Sequence, residues 1–341
     1  MTQLVDQLLD ALGVGAADPR LLQMHDMATV GTGEQARRAR RQQCITYAVL
    51  REALRRIDDG FGDDVPYILL KGEPLGNLLF GRRFLRATGD IDLLVLPGDL
   101  EEARGRLARL GYRRDRDEPP RLWAHNQQAW RHDNHDVVVE LHWSTSVPGV
   151  PQLPLAKLFQ SRQSYRFDRE LCVDVLAPGW LLLHLALHFH HHLGFAKGLV
   201  DIAGWCDRFG AVADQRTLFD RAHRHGLAGL LQWPLHTLAM LTDQSPPMLS
   251  DDIDSAVRSW ATISARSMRN CLAEPPSTAL RATLTTVMPH VGPWRTVPLL
   301  GATMLILDGW PQKLRGFLSR TFLGPHSLGR QLHRLKRSVR R

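Results

Sequence analysis

The sequence predicts an α+β protein, and three observations point to it. Short apolar runs at Tyr67–Leu70, Asp90–Val95 and Val137–Trp143 read as strands. Helical segments alternate with them through about eighty residues, the pattern of a small α/β core. A helical apolar period fills the first sixty residues and returns after Pro178. The expected organisation is N-terminal helices over 1–59, a core over 60–177, a helical domain over 178–310 and a basic C-terminal tail over 311–341. A chain of 341 residues is long enough for two such cores.

Each element has its own signal. Leu4, Leu8 and Leu12 form one helical stripe; Tyr47, Leu50, Leu54 and Ile57 form a second. The arginines at 37, 38, 40 and 41 fall on the solvated face of that second helix. Tyr67-Ile68-Leu69-Leu70 predicts a buried strand running into Lys71-Gly72, and Glu73–Phe80 predicts a helix. The strand Asp90–Val95 follows. Asp99 suits a helix N-cap, with Glu101 and Glu102 favourable in the first turn. That helix turns Leu100, Ala103, Leu107 and Leu110 inward and stops at Gly111. Val137–Trp143 is the third strand. Pro148, Pro151 and Pro154 recur at the polyproline II period, predicting a stiff connector. Tyr165–Asp168 and Leu171–Leu176 read as a hairpin, and helices are expected from Pro178 to 245 and, with looser limits, to 310.

The net charge of +8 is local. Residues 311–341 carry nine basic and no acidic side chains, leaving 34 basic and 35 acidic over 1–310. This excludes a globally basic nucleic-acid binder. Leu328, Leu332 and Leu335 between the tail's basic residues predict a basic amphipathic helix. Such a helix either contacts an acidic partner or membrane surface, or docks its leucines on the body. Cys44, Cys172, Cys206 and Cys271 include no CxxC pair, which suits free thiols rather than a disulfide framework or zinc site. The N-terminal residues carry Asp6 and Asp10 without a leading positive region, unlike a signal peptide. The uncharged apolar stretch Thr296–Leu307 is too short to span a membrane. These features predict a cytoplasmic protein with no transmembrane segment.

The chemistry is carried by carboxylates. Alternation along a strand projects Asp90 and Asp92 from one face while Ile91 points to the other. Two acids on one side of an apolar strand repel each other and are costly to bury, and a divalent cation removes both costs. Val137–Trp143 is a second buried strand interrupted by one acid, Glu140, which shares its face with Val138 and His142. A metal held by the first strand would give it a partner.

With these residues in place, the chain resembles a known family. Leu70-Lys71-Gly72, then Arg86-Ala87-Thr88-Gly89-Asp90-Ile91-Asp92-Leu93-Leu94-Val95, then Gly111-Tyr112, then Val139-Glu140-Leu141-His142-Trp143 are similar to successive motifs of the uncharacterised nucleotidyltransferase family, within the DNA polymerase β-type nucleotidyltransferase superfamily. The resemblance covers residues 65–145 and continues more loosely to His188 and Asp201. It implies a small mixed-sheet nucleotidyltransferase domain moving a nucleoside monophosphate from an NTP to a small-molecule or peptide acceptor. Relatives often accompany peptide natural-product or polysaccharide genes, so the resemblance also admits a peptide or sugar-phosphate acceptor. Asp90, Asp92 and Glu140 would be the catalytic residues and would ligate Mg²⁺ or Mn²⁺, with Glu140 also accepting the acceptor's proton. Lys71, Gly72 and Arg86 would contact the phosphates, with His142 on the substrate side. The chain departs from the superfamily in the turn, where Lys71-Gly72-Glu73 replaces Gly-Ser and brings an acid close to the phosphates.

His184, His188 and His192 share a helix face, but Leu185 stands where an HExxH motif needs glutamate. The expected role is a substrate-side wall of His188 and His192 with Lys197 and Asp201; Asp201 reads equally as a buried hydrogen-bonding residue. Two other function classes stay open: the same fold and metal site transferring another group, such as a sugar, and a non-catalytic nucleotide- or peptide-binding module.

Overall fold

The computed structural model of the protein describes residues 3–12, 34–81, 86, 88–115, 126–132, 135–146, 151–191, 196–242, 244–251 and 255–270. The chain begins with α1 (Gln3–Ala11) and α2 (Glu34–Phe61). The core then runs β1 (Tyr67–Leu69), α3 (Glu73–Phe80), β2 (Asp90–Val95), α4 (Leu100–Arg109), β3 (Tyr112–Arg114), β4 (Gln127–His132) and β5 (His135–His142). A short helix α5 (Leu155–Gln160) leads into the hairpin β6 (Gln163–Arg166) and β7 (Cys172–Val175). Helices α6 (Pro178–His191), α7 (Ala196–Phe209), α8 (Gln215–Arg224), α9 (Ala228–Thr242) and α10 (Ser255–Asn270) complete the described chain.

The strands form one mixed sheet in the order β3-β4-β5-β2-β1-β7-β6. β2 is parallel to β5 and β1 to β7, while the other pairs are antiparallel. Period-two alternation sorts side chains between two cores. Tyr67, Leu69, Ile91, Leu93, Val95, Val137, Val139 and Leu141 pack with Leu50, Leu54, Ile57 and Phe61 of α2 and Ala103 and Leu107 of α4. Ile68, Leu70 and Leu94 point the other way, into a core shared with α1, α3 and the helices after Pro178. That second core is continuous from Leu4 and Leu8 through Leu182 and Trp205 to Leu235. Where α3 meets α7 the backbones come so close that a Cβ on Gly204 would lie 2.5 Å from the Phe80 ring. The helical segment thus packs directly over the sheet face from which Asp92 projects.

Most expected elements are present, with informative differences. Asp99 stands before α4, yet its side chain caps nothing. A 3₁₀ turn, Pro97–Asp99, runs straight into the helix and leaves Asp99 in the right-handed helical region rather than extended. α4 ends as expected, with Gly111 at φ +87°. β3 and β4 were not expected from the sequence and extend the sheet beyond β5. Cys44, Cys172 and Cys206 are free thiols, and Arg41 is exposed. Among the described residues no helix is long and apolar enough to cross a membrane. Pro148, His192, Cys271, the stretch 296–307 and the tail lie outside the described residues.

Candidate active site

The site is assembled by strand register. β2 and β5 run parallel with Asp90 opposite Val138, Asp92 opposite Glu140 and Leu94 opposite His142. Since Ile91 and Val139 belong to the α2 side, alternation sends Asp90, Asp92, Glu140 and His142 to the face covered by the later helices. On the other flank of β2, β1 ends with the Leu70 N–H donating to the Asp92 carbonyl at 3.0 Å. The next residue, Lys71, turns its ammonium onto Asp92 Oδ1 at 2.9 Å. His142 Nε2 lies 3.2 Å from the same oxygen and 3.5 Å from Glu140 Oε2. Gln127 of β4 donates its Nε2 to Glu140 Oε2 at 3.2 Å.

Burial sharpens these contacts. Asp92 is 0% exposed, and its Oδ2 has no hydrogen-bond partner. Burial alone would raise its pKa, but the Lys71 ammonium and the His142 contact outweigh it and hold the carboxyl well below the ordinary range. Burial pushes Lys71 down, and the surrounding acids Asp92, Glu140 and Asp90 pull it above its ordinary value. His142 is likewise raised, because hydrogen bonds to Asp92 and Glu140 overcome its burial. Asp90 is raised by burial and by the Asp92 charge.

The turn after β1 needs its glycine. Gly72 adopts φ +96° and ψ −147°, a conformation closed to other residues, and starts α3 directly behind Lys71. Glu73, the acid that departs from the superfamily pattern, is buried, and its Oε1 accepts a hydrogen bond from the Tyr165 hydroxyl at 3.3 Å.

The remaining expected site residues make contacts of their own. Arg86, expected at phosphates, and Asp201, expected either on the substrate side or as a buried hydrogen-bonding residue, are joined to each other: Nε to Oδ1 at 2.9 Å and Nη2 to Oδ2 at 3.0 Å. Both are buried, so the pair ties the segment before β2 to α7. Lys197, at the start of α7, contributes its charge to Asp90. His188 stacks on His184 with ring centroids 6.4 Å apart.

His184 was seen in the sequence only as part of the histidine cluster. Its side chain is 5% exposed, and neither ring nitrogen has a hydrogen-bond partner. Burial, then the charges of Lys71 and His142, hold its pKa down to about 3, so the imidazole is neutral and faces the cluster. Gln127 had no sequence signal, because β4 itself had none.

The donor set can be tested against a divalent metal. Asp92, Glu140 and His142 each offer a ligand atom, all within 4.8 Å of one another. Two carboxylates and an imidazole are suitable donors, and a buried carboxylate oxygen without a partner is what a cation would satisfy. The residues fit such an ion. The sequence had expected Asp90 in this trio; the compact group has His142 instead.

The model of a family described as "Uncharacterised nucleotidyltransferase" matches residues 20–243, a span containing β1 through α9 and every residue of the cluster. No curated protein matches the chain.

Proposed function

Because the chain belongs to the uncharacterised nucleotidyltransferase family, we propose that it transfers a nucleoside monophosphate from an NTP to a hydroxyl or phosphate of a small-molecule or peptide acceptor. The observation that carries this reading is the pairing of Asp92 with Glu140 across β2 and β5, with His142 beside both. Asp92, Glu140 and His142 would hold the divalent ion, with Asp90 adding negative charge from the same strand. Bound there, the ion would supply the positive charge that a triphosphate and its leaving pyrophosphate require. An imidazole among carboxylates suits Mn²⁺ better than Mg²⁺, whose preferred donors are all oxygen.

The chain's own groups have separate tasks. Lys71 offers an ammonium to phosphate oxygens. Gly72 opens the turn at the N-terminus of α3, where backbone N–H groups favour anions. Glu140, less buried than Asp92, takes the proton from the acceptor. Gln127 orients that carboxylate. His188 and Lys197, on α6 and α7, belong to the substrate side. Arg86 and Asp201 hold α7 in place rather than touching phosphate.

The test is pyrophosphate release by the purified protein with each NTP, Mg²⁺ or Mn²⁺ and candidate acceptors. Asp92→Asn is expected to abolish it. Release that continues unchanged in that variant would remove the mechanism.

A further inference from the structure

Two positively polarised groups converge on one oxygen of Asp92, Lys71 Nζ at 2.9 Å and His142 Nε2 at 3.2 Å. They are not equivalent toward a metal. The His142 ring can carry its proton on Nδ1 instead of Nε2, which frees an Nε2 lone pair for a metal. An ammonium has none, so Lys71 can only repel a divalent ion beside the same carboxylate. Lys71 is also poorly placed to retreat. Its side chain is 14% exposed, and it is anchored between β1 and the Gly72 turn. A buried ammonium that leaves its counter-ion needs another anion within reach. The N-terminus of α3, one residue away, is where a phosphate would lie.

Resting on the nucleotidyltransferase reading, we propose that Lys71 is a specificity-determining residue: it is the resident cation of Asp92, disfavours a bare divalent ion, and yields only to an ion that arrives with a polyphosphate. The ammonium then exchanges a carboxylate oxygen for a phosphate oxygen and stays paired throughout. The ligand class is a divalent-metal chelate of a polyphosphate, not the free ion. No covalent step is involved.

The experiment measures binding without turnover. Free Mn²⁺ is followed by electron paramagnetic resonance, and the manganese complex of inorganic tripolyphosphate by calorimetry, in the wild-type chain, Lys71→Met and Lys71→Arg. Lys71→Met is expected to bind Mn²⁺ alone about tenfold more tightly or better, and the complex about tenfold more weakly or worse. Lys71→Arg, which keeps the charge, retains the wild-type order. These opposite shifts separate the proposal from a merely structural lysine, whose loss would weaken both. Lys71→Met that binds Mn²⁺ no better than wild type overturns the proposal. If Lys71→Met does not fold, the wild-type chain decides: it must take the complex at least about tenfold more tightly than Mn²⁺ alone, and equal binding overturns the proposal. A folded wild-type chain that binds neither probe defeats the metal-site reading itself, an outcome distinct from failure of the lysine's role.

Discussion

Asp92 and Asp201 are both fully buried acids on the same side of the sheet, and both face a cation, yet they are satisfied in opposite ways. Asp201 receives Arg86 through two parallel hydrogen bonds that use both carboxylate oxygens. Asp92 takes Lys71 and His142 on one oxygen and leaves the other bare. The first arrangement is closed, with a rigid fork matched to a carboxylate. The second is open, built from a flexible point charge and a ring that can change roles. Buried charge alone therefore does not identify a functional site. At Asp92 the distinguishing feature is a bare carboxylate oxygen beside two further metal-competent side chains, Glu140 and His142.

The largest expected effect sets the two acids against each other. Asp92→Asn should reduce nucleotidyl transfer by about 10³-fold, beyond the roughly 10–100-fold typical of groups behind a metal ligand. Its thermal melt should stay within about 1 kcal/mol of wild type, since Glu140 and Asp90 still face Lys71. Asp201→Leu should do the reverse and cost about 3–5 kcal/mol of stability by stranding Arg86. Comparable unfolding by both variants in urea would break the distinction.

A double substitution sharpens it. Arg86→Met with Asp201→Leu should recover most of that loss, to within about 1 kcal/mol of wild type, because an apolar pair can replace a buried ion pair that no ligand uses. Denaturant unfolding of the single and double variants measures this coupling directly.

Acid distinguishes the regions in another way. His184 titrates near 3 in the fold and near 6.5 when unfolded. The unfolded chain thus takes up its proton first, and stability present above pH 6.5 is lost as the pH falls toward 3. The slope should approach 1.4 kcal/mol per pH unit, about one proton's worth. His190, held down to about 4 by burial, adds to the same limb. His184→Leu should flatten the loss between pH 6.5 and 4; an unchanged slope would mean that other groups govern it.

The smallest effect concerns Gln127. Gln127→Leu removes the donor that orients Glu140 and should slow transfer by about tenfold without a measurable change in the melt. No change in rate would place Glu140 outside the reacting set.

Much of this was legible in the sequence where local pattern decides. Tyr67–Leu69, Glu73–Phe80 and Asp90–Val95 follow from apolar runs and turn residues, and period two alone puts Asp90 and Asp92 on one face. β4 was not, because Gln127, Gln128, Arg131 and His132 hide its alternation; only Gln128 and Trp130 are buried there. The partners of each acid were equally hidden. Whether Arg86 meets a phosphate or Asp201 depends on how α7 docks against the segment before β2, and no residue pattern encodes that long-range contact. His184 could be read as one of a cluster, but its two bare nitrogens appear only when the helix is packed.

The parallel pairing of β2 with β5 has a consequence for how such a chain can vary. The acids meet because the strands are aligned, not because of the chain length between them, so insertions beside β3, the outermost strand on that side, can change the edge while β4 keeps Gln127 on Glu140. Slippage of β5 by one position would bring Val139 or Leu141 beside Asp92 and turn Glu140 and His142 to the opposite face. Every amino acid would still be present, and Asp92, Glu140 and His142 would no longer converge.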